Sequence, residues 1–347
     1  MRYRLLLFLQ MINLISSGVL PPRKRFPDAI IVGVKKSGTR ALLEFLRINP
    51  LIKAPGPEVH FFDKNFNKGL EWYREQMPET RIGEVTIEKS PAYFHSKMAP
   101  ERIKSLNPNT KIIIVVRDPV TRAISDYTQS SSKRKRVGLM PSFETMAVGD
   151  CANWLRANCT TKTRGVNAGW GAIRIGVYHK HMKRWLDHFP SQNIHIVDGE
   201  KLISNPADEI SATEKFLGLS PVAKPENFGV DPIKKFPCLK NDDGKLHCLG
   251  KTKGRHHPDV EPSVMRALKE FYGPENKKFY QLTEYEPYLR IIHTCRNPDS
   301  PKALTIEIPL GDAKKLRRYF VLNNYNVDIT EKGEEDKYTI GGKRRFQ

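Results

Sequence analysis

The stretch that decides the fold lies at residues 29–40 and reads AIIVGVKKSGTR. Its first part, within Asp28–Val34, is apolar and β-branched, which is typical of a strand buried inside a sheet. A loop over Gly33–Gly38 follows, and then a helix is predicted over Thr39–Arg47. A glycine loop between a strand and a helix presents backbone N–H groups that can surround a phosphate. The stretch therefore predicts a P-loop-like phosphate-binding turn, and an ordinary turn is the alternative.

This loop departs from the pattern of nucleotide-hydrolysing enzymes. Their pattern, GxxxxGK[ST], places a lysine after the last glycine. Here Thr39 follows Gly38, and the lysine of the loop is Lys36. No convincing magnesium-binding aspartate follows a second strand. The loop thus favours phosphate binding without nucleotide hydrolysis.

A second phosphate-binding candidate follows the clearest strand, Lys111–Val116 (KIIIVV). Arg117 comes directly after it, and Ser125 lies eight residues further on, in a predicted helix over Val120–Gln129. Ligands of α/β proteins bind at the carboxyl edge of the sheet, and arginine can bind phosphate with two hydrogen bonds. The alternative for Arg117 is a salt bridge at the strand end.

The remaining elements indicate the fold class. A third strand is predicted over Asn193–Val197, and helices are predicted over Ala172–Phe189 and Pro206–Leu217. Strands alternating with helices predict an α/β domain with three layers around a central parallel sheet.

Composition and the N-terminus restrict the class of partner. The 347 residues carry a formal net charge of +20, which favours a polyanion such as nucleic acid, an acidic membrane or a sulfated polysaccharide. Residues 1–20 contain two arginines and then the apolar run Leu5–Ile15, which predicts a signal peptide or a signal-anchor. A buried N-terminal helix is the alternative. Entry into the secretory pathway argues against nucleic acid as the natural partner.

The five cysteines predict disulfides rather than a zinc site, because they form no CxxC pair. Cys238 and Cys248 enclose a polar loop with a turn signal at Asp243-Gly244, which suits a disulfide-bonded hairpin. Cys151 and Cys159 could form a second disulfide. Asn158 begins the single N-glycosylation sequon.

Several motifs in a fixed order carry a resemblance to a known family. The KxGTR sequence after the first strand, and Arg117-Asp-Pro with Ser125, are similar to the two phosphate loops of sulfotransferases that use 3′-phosphoadenosine 5′-phosphosulfate (PAPS). From about Asp28 to Leu289 the chain resembles the heparan sulfate glucosamine 3-O-sulfotransferases. The further segments that carry this likeness are Glu58–Asp63, Gly69–Tyr73, Glu88–Phe94, Ser125–Gln129 and Lys253–Pro258.

The resemblance implies how the domains are arranged and where the protein resides. The composition of residues 21–27, PPRKRFP, indicates a basic, proline-rich linker. The resemblance then implies the sulfotransferase domain over 28–290 and leaves 291–347 as a divergent extension. The expected location is the Golgi lumen, with the protein anchored by 1–20 or secreted after cleavage. The oligomeric state stays open. The Cys238–Cys248 pair matches a disulfide of the family.

The resemblance also implies PAPS as the sulfuryl donor and heparan sulfate as the acceptor, with no metal. Residues implied at the 5′ end of PAPS are Lys36, Ser37, Gly38, Thr39 and Arg40. Residues implied at the 3′-phosphate, or closing over the nucleotide, are Arg117, Ser125, Lys253, Gly254, Arg255, His256 and His257.

Catalysis is expected to be an in-line displacement at sulfur. Glu58 and His60 are two residues apart, so both side chains of an extended segment point the same way. By resemblance Glu58 is the general base, Lys36 offsets charge on the bridging oxygen, and His60 and Asp63 orient the base or its substrate. A solvated loop acid is the alternative for Glu58 alone. The acceptor contacts implied are Lys35, Glu58, His60, Asp63, Lys89, Ser90, Pro91, Ala92, Gln129, Lys133, Trp170 and Gly171.

Two other functions compete with this one. A heparan sulfate sulfotransferase with a different acceptor position would share both phosphate loops. A non-catalytic heparan-binding protein could use the same scaffold, although Lys36, Glu58, His60 and Arg117 are all present. A nucleic-acid binder would explain the net charge but not the phosphate loops.

Overall fold

The computed structural model describes residues 21–133, 140–148, 165–233, 235–241, 243–250, 257–283, 288–293 and 304–309. The chain divides into two compact units, residues 1–276 and 277–347. The first unit contains the central sheet and the residues of the candidate site. The predicted domain boundary at residue 290 stays a prediction.

The central sheet has five strands in the order β3-β5-β2-β6-β7, and every neighbouring pair is parallel. The strands, numbered along the chain, are β1 Arg23–Lys24, β2 Ala29–Gly33, β3 Ile52–Lys53, β4 Glu79–Thr80, β5 Val85–Lys89, β6 Lys111–Val116, β7 Ile194–Asp198, β8 Phe228–Val230, β9 Pro237–Lys240, β10 Leu246–His247, β11 Tyr288–His293 and β12 Leu304–Pro309. Strands β11 and β12 form an antiparallel pair in the second unit.

The helices are α1 Thr39–Leu46, α2 Gly69–Glu75, α3 Ala99–Leu106, α4 Pro119–Lys133, α5 Phe143–Val148, α6 Gly171–Arg174, α7 Tyr178–Leu186, α8 Lys201–Ser204, α9 Pro206–Leu217 and α10 Pro262–Thr283. Short turns of 3-10 helix lie at Phe66–Lys68, Tyr93–His95, Ser191–Asn193 and Pro225–Asn227, and a π-helical turn lies at Phe61–Asn65. None of the helices in the described part of the chain is long and apolar enough to cross a membrane. The predicted signal segment 1–20 lies outside it.

The predicted parallel α/β class is confirmed. Ile30 and Ile31 in β2, and Ile112 and Ile113 in β6, are completely buried. Successive side chains of a strand point to opposite faces, so both faces of the sheet are covered. On one face the sheet packs against α1 and α9 through a cluster that includes Ile31, Leu42, Phe45, Ile87, Ile113, Val197 and Ile210.

The helix predicted over Ala172–Phe189 is instead two helices, α6 and α7, and this expectation was wrong. Gly176 lies in the break, and a Cβ atom there would stand 2.7 Å from the Tyr272 hydroxyl. That hydroxyl donates a 2.7 Å hydrogen bond to the carbonyl of Ile173. The Tyr272 hydroxyl of α10 therefore bonds the carbonyl to which a continuous helix would bring the N–H of Val177.

The segment 21–27, predicted to be a linker, takes part in the folded domain. Its residues Arg23 and Lys24 pair antiparallel with β4. Lys24 forms a 3.0 Å salt bridge with Glu75, and Arg25 donates a 2.8 Å hydrogen bond to the carbonyl of Glu84. The side chains of Lys24 and Arg25 thus have partners in the domain, which those of a free linker would not have.

The disulfide between Cys238 and Cys248 is present and confirms that prediction. It ties β9 to the residue after β10, and Gly244 turns the intervening loop with a positive φ of 77°. The possible second disulfide, between Cys151 and Cys159, and the sequon at Asn158 lie outside the described residues.

Candidate active site

The candidate site lies at the carboxyl edge of the central sheet. Three neighbouring parallel strands, β5, β2 and β6, end there. Each is followed by predicted site residues: Lys89 ends β5, the Gly33–Gly38 loop leaves β2 and Arg117 follows β6. The topology thus brings together three motifs that are far apart in the sequence.

The glycine loop folds back on the sheet through its own backbone. Val34 donates a 2.9 Å hydrogen bond to Val115 of β6, and Ser37 donates a 3.0 Å bond to Val34. Lys36 and Gly38 have φ values of 76° and 107°, in the left-handed region. A loop with this conformation turns successive N–H groups to one side, as anion-binding loops do.

Gly199, which sequence reasoning missed, packs against the backbone of this loop. A Cβ atom at this position would lie 2.7 Å from the carbonyl oxygens of both Ser37 and Val116. Its N–H donates a 2.7 Å hydrogen bond to Val116. Only glycine allows three backbone segments to approach this closely. The signal available in the sequence was a glycine directly after a strand.

The side chains of the loop differ in exposure and partners. Ser37 and Thr39 are buried, with 1% and 6% exposure. Arg40, predicted at the 5′ end of the donor, forms a 2.8 Å salt bridge with Glu44 and donates a 3.1 Å hydrogen bond to the carbonyl of Gly56. Contact with a phosphate would require this guanidinium to leave part of that arrangement.

Three of the four predicted catalytic residues, Glu58, His60 and Asp63, form one connected cluster with Lys89. A Glu58 carboxylate oxygen lies 2.5 Å from the Lys89 ammonium, and the other lies 3.2 Å from His60 Nε2. His60 Nδ1 lies 3.1 Å from Asp63. Glu58 is 41% exposed on its side chain, whereas Lys89 is 4% exposed. The Glu58 carboxylate is therefore accessible to solvent, while the Lys89 ammonium that it contacts is buried.

The pKa values of this cluster follow from its hydrogen bonds. The bond with His60, followed by the contact with Lys89, lowers the pKa of Glu58 to about 2, although burial opposes the change. The bonds with Asp63 and then Glu58 raise the pKa of His60 to about 9. At neutral pH the cluster holds an ionised Glu58 next to an imidazolium.

The segment that follows β5 is turned towards the interior. Ser90 is completely buried, and its hydroxyl donates a 2.6 Å hydrogen bond to Glu88. Pro91 is also buried, whereas Ala92 is half-buried. The Ser90 hydroxyl is therefore turned to Glu88, and the placement of Ser90 at the acceptor stays a prediction.

Arg117 is held by an acidic residue that sequence reasoning missed. Its Nε lies 3.1 Å from a carboxylate oxygen of Glu200, and its carbonyl accepts a 2.7 Å hydrogen bond from the Tyr178 hydroxyl. Burial raises the pKa of Glu200, and Arg117 opposes that change. Ser125 is half-buried on α4, whose first turn is capped by Asp118. The sequence offered only Gly-Glu after a strand as a signal.

Lys35 is paired with Asp126, a further residue that the sequence analysis did not select. The ammonium lies 2.7 Å from the carboxylate, which is 6% exposed. Arg122 is completely buried, lies 3.3 Å from the same carboxylate and donates to the carbonyls of Lys35 and Ala172. Arg122 thus joins the glycine loop to α4 and α6.

The other predicted acceptor residues lie along α4 and at the start of α6. Gln129 is half-buried, and Lys133 is the last residue of α4. Trp170 packs on Phe143 and Tyr127, with ring centroids 5.7 Å and 6.3 Å apart. Gly171 begins α6.

Part of the predicted donor site cannot be placed. Lys253, Gly254, Arg255 and His256 lie outside the described residues, and His257 is half-buried. Among the described residues, one group has ligand atoms close enough for a metal: Asp231, Cys238 and Cys248. The two cysteines form the disulfide, so this group does not provide thiolates.

Comparisons with known proteins agree with this geometry. The family model described as "Sulfotransferase domain" matches residues 26–284. Human heparan sulfate glucosamine 3-O-sulfotransferase 6 is 48% identical over 76% of this chain and 73% of its own length. Human heparan sulfate glucosamine 3-O-sulfotransferase 3B1 is 49% identical over 76% of this chain, which spans 65% of that relative. A sulfotransferase from Alicyclobacillus acidocaldarius, 21% identical, matches in structure with a TM-score of 0.54 over 76% of this chain and 98% of its own, which shows the fold.

Proposed function

Since this chain belongs to the heparan sulfate glucosamine 3-O-sulfotransferase family, we propose that it transfers a sulfuryl group from PAPS to the 3-hydroxyl of a glucosamine in heparan sulfate. The observation that carries this proposal is the Glu58 carboxyl, bonded to His60 and Lys89 at the sheet edge where the glycine loop begins. A carboxylate at this place can accept the proton of a sugar hydroxyl.

The reaction balances as a single displacement. The acceptor oxygen forms a bond to sulfur, the bond from sulfur to the bridging phosphate oxygen breaks, and adenosine 3′,5′-bisphosphate leaves. The proton of the hydroxyl goes to Glu58. His60, held by Asp63, keeps the carboxylate in place as an imidazolium. Positioning and charge stabilisation would then supply most of the rate enhancement.

The resting cluster must change when the acceptor binds. A base with a pKa of about 2 has little tendency to take a proton. Lys89 is one of the groups that lower this pKa, and its ammonium is also suited to a sulfate or carboxylate of the sugar chain. We infer that the acceptor draws Lys89 away from Glu58, so that the carboxylate becomes more basic only when substrate is present.

The donor site is proposed on the two phosphate loops. The N–H groups of the loop that contains Lys36 and Gly38 would hold the 5′-phosphosulfate, and Lys36 would offset charge on the leaving oxygen. Arg117 and Ser125 would hold the 3′-phosphate. Residues 253–257 are proposed to close over the nucleotide. This scheme routes no step through a metal.

The acceptor is proposed to lie across α4 and the start of α6. Lys35, Gln129 and Lys133 would contact its sulfates and carboxylates, and the net charge of +20 favours association with such a chain. The N-terminal segment 1–20 would bring the protein to the Golgi lumen, where it would be anchored or secreted.

The test is transfer of labelled sulfate from PAPS to N-sulfated heparan sulfate by the full chain, followed by disaccharide analysis. A 3-O-sulfated glucosamine is the expected product. If the protein binds PAPS but sulfates another position of the chain, the 3-hydroxyl is not the acceptor and the alternative sulfotransferase holds. Binding of heparan sulfate without PAPS binding would instead indicate a non-catalytic glycan-binding protein.

A further inference from the structure

His60 has a backbone conformation that few residues adopt. Its φ and ψ are 53° and 36°, in the left-handed region, and it is not a glycine. Such a conformation is unfavourable for most residues and persists where the surroundings hold it. Here it allows one imidazole to meet Glu58 with Nε2 and Asp63 with Nδ1. Something must therefore fix the backbone at this point.

Two buried hydroxyls hold this backbone. The N–H of His60 donates a 2.9 Å hydrogen bond to the Ser90 hydroxyl. The N–H of Phe61 donates a 2.7 Å hydrogen bond to the Tyr93 hydroxyl. A hydroxyl can accept these bonds in a fixed geometry only if its own proton points elsewhere.

The carboxyl of Glu88 accepts a hydrogen bond from each of these two hydroxyls. It is completely buried, and Ser90 donates a 2.6 Å hydrogen bond to one of its oxygens. The Tyr93 hydroxyl and the backbone of Val59 also hydrogen-bond this carboxyl, and the Tyr73 hydroxyl lies 3.5 Å away. The carboxyl is thus surrounded by hydrogen-bond donors, and the hydroxyls of Ser90 and Tyr93 among them also hold the backbone of His60 and Phe61.

Burial and hydrogen bonding have opposite effects on the charge of Glu88. Burial raises its pKa to about 7, while hydrogen bonds from Ser90, Tyr93 and Val59 act in the other direction. A buried carboxyl that receives several hydrogen bonds is costly to introduce and is retained where its acceptor capacity is needed.

We propose that Glu88 is a positioning residue of the active site: by accepting from Ser90 and Tyr93, it fixes the backbone of His60 so that the imidazole bridges Glu58 and Asp63. Glu88 itself touches no substrate. The effect on rate rests on the proposed sulfuryl transfer, whereas the effect on the His60 ring does not.

Glu88→Gln tests this arrangement with little change in size. The amide offers one acceptor oxygen and directs two N–H donors at hydroxyls that also donate, so one of the two bonds is lost. We expect kcat for sulfate transfer to fall about tenfold or more, since small misplacement of a catalytic group has effects of this order. The KM for PAPS should change less than about twofold, because Glu88 is not placed in the donor site.

A double-mutant cycle separates positioning from general structural damage. If Glu88 acts through His60, Glu88→Gln should lower kcat by less than about twofold in a His60→Ala background. An equal fold-loss in both backgrounds would overturn the proposal.

The ring of His60 gives a readout that does not need activity. Its pKa of about 9 depends on contact with Asp63 and Glu58. In Glu88→Gln we expect the NMR titration of this imidazole to move down towards the ordinary value of about 6.5. An unchanged titration would refute the positioning role, even if the chain transferred no sulfate at all.

Glu214 provides a matched control. It is also completely buried, accepts a 2.9 Å hydrogen bond from Asn49 and a 3.1 Å bond from the N–H of Val222, and lies on α9. Glu214→Gln should lower stability and leave kcat and the His60 titration unchanged. If Glu88→Gln does not fold, Tyr93→Phe, which removes one of the two hydroxyls, should give the same two changes. Wild-type values for both in that variant would overturn the proposal.

Discussion

Replacing Glu58 by glutamine should remove the base and keep the shape of the site. The amide oxygen can still accept from Lys89, which lies 2.5 Å from the carboxylate and is 4% exposed. Loss of a general base lowers kcat by about 10²–10⁴-fold, which corresponds to about 3–5 kcal/mol of transition-state stabilisation. PAPS affinity should remain within about twofold, since no donor phosphate is assigned to this residue.

The same substitution should have a smaller effect on stability. A hydrogen bond from a charged donor to a neutral oxygen is weaker than one to a carboxylate, so the free energy of unfolding should fall by about 1–2 kcal/mol. The assay is labelled sulfate transfer at saturating PAPS, with nucleotide binding measured by calorimetry on the same preparation. A variant that retains more than a tenth of kcat, or loses PAPS affinity as strongly as activity, would refute the assignment of Glu58 as base.

Three further predictions follow from the same geometry. The pKa of His60 is raised to about 9, so the contribution of its imidazolium to stability should be complete below about pH 6.5 and be lost as the pH rises through 9. Urea unfolding of the wild type should therefore give a lower free energy of unfolding at pH 10 than at pH 6. This contribution should be absent from His60→Ala. Arg117→Ala should raise the KM for PAPS by about tenfold to a hundredfold with little change in kcat at saturation, and a large loss of kcat alone would contradict its place at the donor. Gly199→Ala places a methyl group 2.7 Å from two carbonyl oxygens, so it should reduce the free energy of unfolding by about 1–3 kcal/mol. An unchanged denaturation midpoint would contradict this prediction, because it would show that the loop accommodates the methyl group without losing stability.

The parts of the fold that the sequence predicted are those governed by local patterns. The buried runs of β2 and β6, the glycine loop and the start of α1 each depend on residues that are neighbours in the chain. The likeness of several ordered motifs added the site residues. Glu58, His60 and Asp63 were predicted together and Lys89 at the acceptor, whereas the hydrogen bonds that join these four residues were not predicted.

The parts that were missed depend on residues distant in the chain. The Tyr272 hydroxyl that bonds Ile173 at the break between α6 and α7 comes about a hundred residues later. The strand at residues 23–24 exists because β4 pairs with it. No periodicity records such contacts. The bond by which the Ser90 hydroxyl donates to Glu88 likewise could not be predicted from a local pattern.

The ion pair between Arg117 and Glu200 has a consequence for turnover. The guanidinium has an anionic partner within the protein itself, 3.1 Å away. Arrival of a 3′-phosphate at this place would exchange one anion for another, and departure of the spent nucleotide would restore the first. Phosphate binding to a paired arginine removes less net charge from water than phosphate binding to an isolated one. The affinity for the nucleotide should therefore depend less on ionic strength. Glu200 would then act as an internal competitor that limits how long the product stays bound, and an enzyme lacking its charge should hold the nucleotide more tightly and release it more slowly.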